Sequence, residues 1–514
     1  MRQVAKPRKI RLRYAGLVNF TSNIASALIG LMFITMASRN LSEAEFGSWH
    51  YLTVLAQYFI LPATLTNYWL TRYAGRGFRV ARTGFALNTI ILAIALTLLA
   101  ISSPFTFRPV EASSKLHALL LPALSLYLTS NYYYTTSTAL ALGVAPQAIG
   151  YSQLLFEAIR TLFGFILILK LDLGIVGVLA AVAAAYLIIT VFLIVYFRDE
   201  FGEPINRRLA VKWVKLYWLP AYSIIALQLM NFDVILMAFK YSSIPVAHMR
   251  AIQTVIAVML YSTQLYSPLY AILLGGGSSR DVEQALSYFL MFAIPMAMGI
   301  IAMPKTLLSL LKAPYAASSP ALIAATLYAF ALAFTMLFSS ILRGIEDIEL
   351  HENITLRDYV RSKLFYVPTR NIITYTAYLI TLYAMPISTI TSINDPSTIA
   401  FLWVILKGIF TSLLAIQFYR ACRRELPFKF PLSKIAKYVF AAMLMFLALM
   451  HLGVEGETES FIKALRRALM GTAIGASVYF AVLILIEPEV RQLIRAVIGE
   501  AKQLILGEPA YRKV

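Results

Sequence analysis

The chain has 514 residues, 60% of them hydrophobic and 14% charged, against roughly 45–50% apolar and about 25% charged in an ordinary soluble domain. This excludes a soluble single domain and leaves room for up to about fifteen membrane-spanning helices of roughly 20 residues each. The net charge of +20 would suggest nucleic acid in a soluble chain but is a question of sidedness in a membrane protein, and the single cysteine, Cys422, excludes a disulfide framework, a cysteine-based zinc site and an iron–sulfur cluster.

Residues 1–13 carry Arg2, Lys6, Arg8, Lys9, Arg11 and Arg13. The apolar segment after them is about twice as long as a signal-peptide core, so an uncleaved first span with a basic cytoplasmic flank is expected. Apolar runs follow at 14–37, 47–70, 83–102, 116–143, 149–169, 174–197, 216–239, 247–274, 284–311, 319–342, 364–385, 398–419, 438–452 and 463–486. The expected fold class is therefore all-α, a polytopic membrane protein of about 14 transmembrane helices. Counted from a cytoplasmic start, inner segments hold about 31 Lys and Arg and outer loops about six, as the positive-inside rule requires. Most of the +20 is thus a topology signal that places both termini in the cytoplasm of a multi-pass plasma-membrane protein. Lys463, Arg466 and Arg467 run against this bias and are expected to reach towards Glu455, Glu457 and Glu459. From Glu489 to Leu506 the tail alternates as an amphipathic helix suited to lie on the cytoplasmic leaflet.

Polar side chains inside lipid are costly, so a polar face on a span must meet protein or water. Span one carries Asn19, Ser22, Asn23, Ser26 and Gly30 on one face; span two carries Thr53, Gln57, Thr64, Asn67 and Thr71; span eight carries Arg250, Gln253, Thr254, Ala257, Tyr261 and Gln264. Span four adds Tyr127, Asn131, Tyr134, Thr135 and Thr138, and span five adds Gln153, Glu157, Arg160 and Thr161. A single stripe reads as interhelical hydrogen bonding. Three full-height stripes together fit a water-filled cavity better.

Only Glu157 and Asp233 among 25 acids lie within spans, against about eight basic residues in or at the edges of them. Glu157 and Arg160, three apart, are expected to pair. Arg250 and Lys407 have no acid three or four residues away on their own spans, and a guanidinium in a wet cavity suits a phosphate. Asp233 is either an ion or proton site or is neutralised by a neighbour such as Arg370. No Walker loop is present, His50, His117, His248, His351 and His451 show no metal-ligand spacing, and no cofactor or metal is expected. Gly275 to Gly277 read as a flexible turn.

Two stretches carry a resemblance. Span one ends in Ala37-Ser38-Arg39-Asn40-Leu41-Ser42-Glu43-Ala44-Glu45-Phe46-Gly47, and span nine leads through Ala313-Pro314-Tyr315-Ala316-Ala317 into span ten, which ends Leu342-Arg343-Gly344. Their order and spacing across fourteen spans resemble the oligosaccharide flippases of the multidrug/oligosaccharidyl-lipid/polysaccharide exporter superfamily, over about 14 to 486. The resemblance implies two pseudo-symmetric six-helix lobes, 14–197 and 216–419, joined by the linker 198–215 and followed by an appended pair at 438–486 and the tail 487–514. It implies a basic central cavity lined by spans one, two, seven and eight that takes the phosphate-linked sugar head of an isoprenoid lipid. Span one lacks the carboxylate that drug antiporters of this superfamily often use. Asp233 and Asn371 match part of a sodium site found in some lipid-linked sugar flippases, but the position one turn after Asn371 is Tyr375 rather than an acid.

The expected function is accordingly a non-enzymatic transporter flipping an isoprenoid-(pyro)phosphate-linked oligosaccharide to the outer leaflet. The expected substrate contacts are Arg250, Gln253, Tyr261, Gln264, Asn19, Asn23, Gln57, Asn67, Asn131 and Lys407, with Asp233 and Asn371 as candidates for coupling to sodium or protons. Partners are the lipid-linked oligosaccharide and membrane lipids, without nucleic acid, and a monomer is favoured. The alternatives are a drug or cation exporter of the same fold and a membrane glycosyltransferase. The short outer loops leave no room for the catalytic domain that the glycosyltransferase would need.

Overall fold

The computed structural model describes residues 26, 29–111, 114–145, 147–266, 269–274, 276–346, 356–385, 395–488 and 490–491. Asn19, Asn23, His351, Gly275 and the amphipathic tail from Glu489 lie outside these residues or at their margin. Every expected span coincides with helix, from the part of span one at 29–40 through Glu43–Gly75, Ala81–Thr106 and Ser114–Val144 to Leu432–His451 and Phe461–Ile486. Among the described residues, ten helices are by themselves long and apolar enough to cross a membrane. Glu43–Gly75, Ser114–Val144 and Lys363–Ala384 have the length as well and carry many of the polar residues. The protein is a multi-pass helical membrane protein, with no strand among the described residues.

The first of the two quoted stretches is a helix stop and start. Ser42 caps span two, its hydroxyl accepting from the Glu45 amide at 3.1 Å while the Glu45 carboxylate accepts from the Ser42 amide at 3.0 Å. Leu41 and Phe46, the two positions of a hydrophobic staple around this capping box, are both buried. Gly47 then lies against span eight: a Cβ there would overlap the Ser243 carbonyl oxygen and come within 3.0 Å of the Ala247 nitrogen. In the second stretch Ala313–Ser318 is a 3-10 turn that buries Tyr315 and feeds Ser319–Gly344, whose terminal Gly344 sits against Leu273 and the Tyr270 carbonyl.

Three spans depart from the uniform helices expected. Span seven is broken: Trp218–Gln228 and Phe232–Lys240 are separated by the 3-10 turn Leu229–Asn231. Asn231 is a poor helix former, and the Tyr58 hydroxyl donates to the Gln228 carbonyl at 2.8 Å, so a backbone oxygen at the break keeps a partner. Span eight is α-helical to Leu260 and then tightens into a 3-10 stretch, Tyr261–Tyr266. Span five loosens into a π-helical stretch, Phe165–Lys170, just after Gly164 meets Phe33 and Met36 of span one.

Near the start of span fourteen one member of the basic cluster, Arg467, reaches back to the segment that carries Glu455, Glu457 and Glu459. Arg467 donates to the Gly456 carbonyl at 3.5 Å, whereas the Glu455 carboxylate caps the helix Pro304–Leu311 through the Lys305 and Thr306 amides at 3.2 and 3.4 Å. A carboxylate at a helix N-terminus satisfies free amides and meets the positive end of the helix dipole.

Contacts divide the chain into two compact units. The first comprises Met1–Arg250 with Pro368–Ala400, and the second Ala251–Val367 with Phe401–Val514. In the first, spans two, three and four are joined by a buried amide: Asn88 donates to Asn67 Oδ1 at 3.0 Å and to Thr136 Oγ1 at 2.7 Å. Replacing Asn88 with Ala removes both bonds and strands the Asn67 carbonyl, with an expected loss of about 1–2 kcal/mol. Thermal unfolding in detergent checks this against the exposed control Thr97→Ala. In the second unit, spans nine, thirteen and fourteen meet through Ser287 with Tyr438 at 2.9 Å and Tyr479 with the Met291 carbonyl at 2.7 Å.

Candidate functional site

Spans one, two, four, five, six and eight bring two arginines and a ring-lined wall together within the first unit. Arg160 lies over Phe33, with 4.4 Å from Cζ to the ring centre, and over Phe156 at 5.1 Å. It pairs with Glu157, as the i, i+3 spacing predicts, and Gln153 donates to the other Glu157 oxygen at 3.3 Å. Gly30 backs this pair so closely that a Cβ would stand 3.0 Å from Glu157 Oε2.

Arg250 lies over Trp49 at 6.0 Å, and Trp49 meets Phe33 edge-on at 6.1 Å. The two guanidiniums are within electrostatic reach of each other and of Tyr127. Tyr127, Tyr134 and Phe156 surround Tyr186 at 5.8, 4.6 and 4.8 Å between ring centres. Buried Asn131 donates to the Tyr127 hydroxyl at 3.4 Å.

Polar atoms remain unused here. The Trp49 indole N–H, the Arg160 Nε–H and the Ser26 hydroxyl are buried without a hydrogen-bond partner among the described residues. Orphaned buried donors are rare and need a reason. Two cations, one already matched carboxylate and unused donors together suit an anion with several acceptor oxygens.

A cavity of about 690 Å³ opens beside this cluster, lined by Thr64, Asn67, Tyr68 and Thr71 of span two and by Tyr134, Thr135 and Thr138 of span four. Tyr134 belongs to both the cavity and the aromatic wall. Arg72 stands at the rim, its guanidinium hydrogen-bonded to the Tyr68 hydroxyl and 5.3 Å from that ring. No acid lines it. A second cavity, of about 430 Å³ around Ser103, Arg108 and His117, is lined by none of the expected substrate or coupling residues.

The remaining expected contacts distribute as follows. Gln57 is exposed on span two, and Asn67 faces the cavity while accepting from Asn88, so its stripe is partly interhelical bonding. Gln253 is half-buried and Gln264 exposed, both in the second unit. Tyr261, 50% exposed, begins the 3-10 stretch, where 120° steps replace 100° steps and the stripe loses its register. Lys407 is also in the second unit, fully buried, 5.9 Å from the Tyr328 ring.

Asp233, with no exposed surface, follows the break in span seven directly and accepts from the Tyr378 hydroxyl of span eleven at 2.8 Å. Asn371 lies two turns earlier on span eleven, its Oδ1 buried with no donor among the described residues, as is Gln228 Oε1 at the break. Arg370, offered from the sequence as the neutralising neighbour, is exposed. Trp49 and Phe33 were not singled out by sequence reasoning. Phe46, Trp49, Thr53 and Gln57 repeat at offsets 0, 3, 7 and 11, a continuation of the span-two stripe by one turn that would have found Trp49.

No protein-family model and no curated protein matches the sequence. Solved structures do match. The lipid II flippase MurJ in an inward closed conformation is 15% identical, with a TM-score of 0.62 over 93% of this chain and all of that one. A multidrug resistance MATE family transporter of the MOP superfamily in its inward-facing conformation is 12% identical, with a TM-score of 0.52 over 80% of this chain and 98% of that one. The outward-facing conformation of such a transporter gives 14% and 0.51. The chain shares its fold with these flippase and transporter structures.

Proposed function

We propose that the protein is an alternating-access transporter that moves an isoprenoid-(pyro)phosphate-linked oligosaccharide from the cytoplasmic to the outer leaflet of the plasma membrane, for polysaccharide or glycoprotein glycan assembly. The observation that carries the reading is the pairing of Arg160 and Arg250 within one ring-walled cluster inside the membrane region. A guanidinium at membrane depth is expensive and marks a substrate path. Its planar fork grips phosphate oxygens two at a time. The lipid tail stays in the bilayer, and the hydroxyl- and tyrosine-lined cavity beside the arginines gives sugars hydrogen-bonding groups and ring faces. Similarity in fold to a lipid II flippase supports the same reading. Transport of this kind requires no covalent step, so the protein acts as a carrier and not as an enzyme.

The cluster disfavours an exporter of organic cations, because its one carboxylate is committed to Arg160 and Gln153. Proteoliposomes separate the two readings. A fluorescent short-chain isoprenoid pyrophosphate oligosaccharide should become accessible on the opposite leaflet in a protein-dependent way, while a lipophilic dye cation should not be moved. Movement of the dye alone would overturn the proposal.

Coupling is assigned to the Asp233 carboxylate, supported by its burial beside the broken helix and by the amide oxygens of Asn371 and Gln228. Asp233→Asn keeps the shape and the acceptor for Tyr378 but removes the charge. Flipping in vesicles carrying an imposed sodium or proton gradient should lose its gradient stimulation in this variant. Equal stimulation of variant and wild type would remove Asp233 from coupling.

A further inference from the structure

We propose that the short helix Arg207–Lys215 and the turn between spans two and three form one binding surface for anionic lipid headgroups. The helix is fastened to the protein on one side only. Asn206 caps it, accepting from the Leu209 amide at 3.0 Å, and its own amide donates to Thr83 Oγ1 of span three at 3.0 Å. Leu209 and Trp213, one turn apart, are buried, and Trp213 meets Tyr73 of span two at 5.6 Å.

The rest of the helix faces outward. Arg207, Arg208, Lys212 and Lys215 are all exposed. Between and beside them lie Val211, Val214 and Trp218, at 55%, 47% and 56% exposure. A helix bathed in water gains nothing from exposed valines and a tryptophan. A helix lying at the boundary of headgroup and acyl chain places such residues downwards while its lysines and arginines reach the phosphates.

The neighbouring turn adds to the charge. Arg76, Arg79 and Arg82 are exposed, and Arg79 lies close to Gly202, where a Cβ would be 3.6 Å from its guanidinium. Segments 72–82 and 198–215 together hold nine Lys and Arg against three acids. One of those acids, Asp199, faces Arg198 at 3.9 Å, and another, Glu200, is buried. An acidic protein would answer the charge as well, but the apolar side chains sit at the ends of spans six and seven, where the hydrocarbon begins. That position favours lipid.

Trp218 serves as the reporter. The full-length protein is reconstituted with brominated phosphatidylglycerol or brominated phosphatidylcholine over the same series of mole fractions, and the Trp218 signal is taken as the difference between wild type and Trp218→Phe. Brominated phosphatidylglycerol should quench it at about tenfold lower mole fraction. The preference should disappear in the variant carrying Arg207→Gln, Arg208→Gln, Lys212→Gln and Lys215→Gln, and should fall on raising salt in the unaltered protein. Equal quenching by the two lipids, a preference insensitive to salt and to the four substitutions, or no quenching by either lipid would each overturn the proposal, the last pointing to an acidic protein partner instead.

Discussion

Arg250→Ala is expected to abolish substrate flipping, by two orders of magnitude or more, while the protein still inserts and folds. A charge-assisted hydrogen bond contributes about 1.5–3 kcal/mol, and a forked grip on a phosphate makes two. Losing both costs roughly 3 kcal/mol or more, which corresponds to at least about a hundredfold in affinity. Arg250→Lys retains the charge and loses the fork, so it should fall between alanine and wild type. Arg160→Ala acts on the same cluster but also leaves the Glu157 carboxylate with Gln153 and without its counter-charge, so it should lower thermal stability as well as transport. The measurements are initial flipping rates in proteoliposomes and unfolding temperature in detergent. An Arg250→Ala protein that flips at the wild-type rate would remove this residue from the substrate path.

Gly47→Ala should be the most damaging small substitution in the first unit. The new methyl would overlap the carbonyl oxygen of Ser243 and crowd the Ala247 nitrogen, both backbone atoms that cannot rotate away. Overpacking of this kind costs typically about 1–3 kcal/mol, and here the only relief is separation of spans two and eight. That separation would pull on the neighbouring bonds, His248 Nε2 to Glu43 Oε2 at 3.0 Å and Ser243 Oγ to Glu111 Oε1 at 3.0 Å. Gly299→Ala is the matched control, since nothing lies within 4 Å of its added carbon and alanine is the better helix former. The expected result is a fall of several degrees in unfolding temperature for Gly47→Ala and no fall for Gly299→Ala.

What the sequence made legible follows from what leaves a local trace. Apolar runs of about 20 residues place the spans because the hydrocarbon thickness demands that length. The Glu157–Arg160 pair involves neighbours three residues apart, so spacing alone exposes it. The partner of Asn67 is Asn88, one span away, and nothing local distinguishes an amide that bonds a neighbouring helix from one that meets water. Trp49 blends into the apolar background because its ring is hydrophobic, although its indole N–H is the part left unused. The break in span seven is only three residues long and hardly changes hydropathy, yet it decides where Asp233 sits. Likewise the 3-10 stretch from Tyr261 keeps the composition of the span-eight stripe while changing its angular step.

The second half of span seven is bolted to span eleven at both ends. Tyr378 holds Asp233 in its first turn, and Lys240 in its last turn donates to the carbonyls of Tyr383 and Met385 at 2.6 and 2.8 Å. The two fastenings are seven residues apart, about 10 Å along the helix. Phe232–Lys240 is therefore clamped along its length to residues 378–385, with the 3-10 turn Leu229–Asn231 between it and the rest of span seven. Two independent fastenings mean that Asp233→Asn, which keeps the acceptor for Tyr378, leaves the segment held at its far end by Lys240.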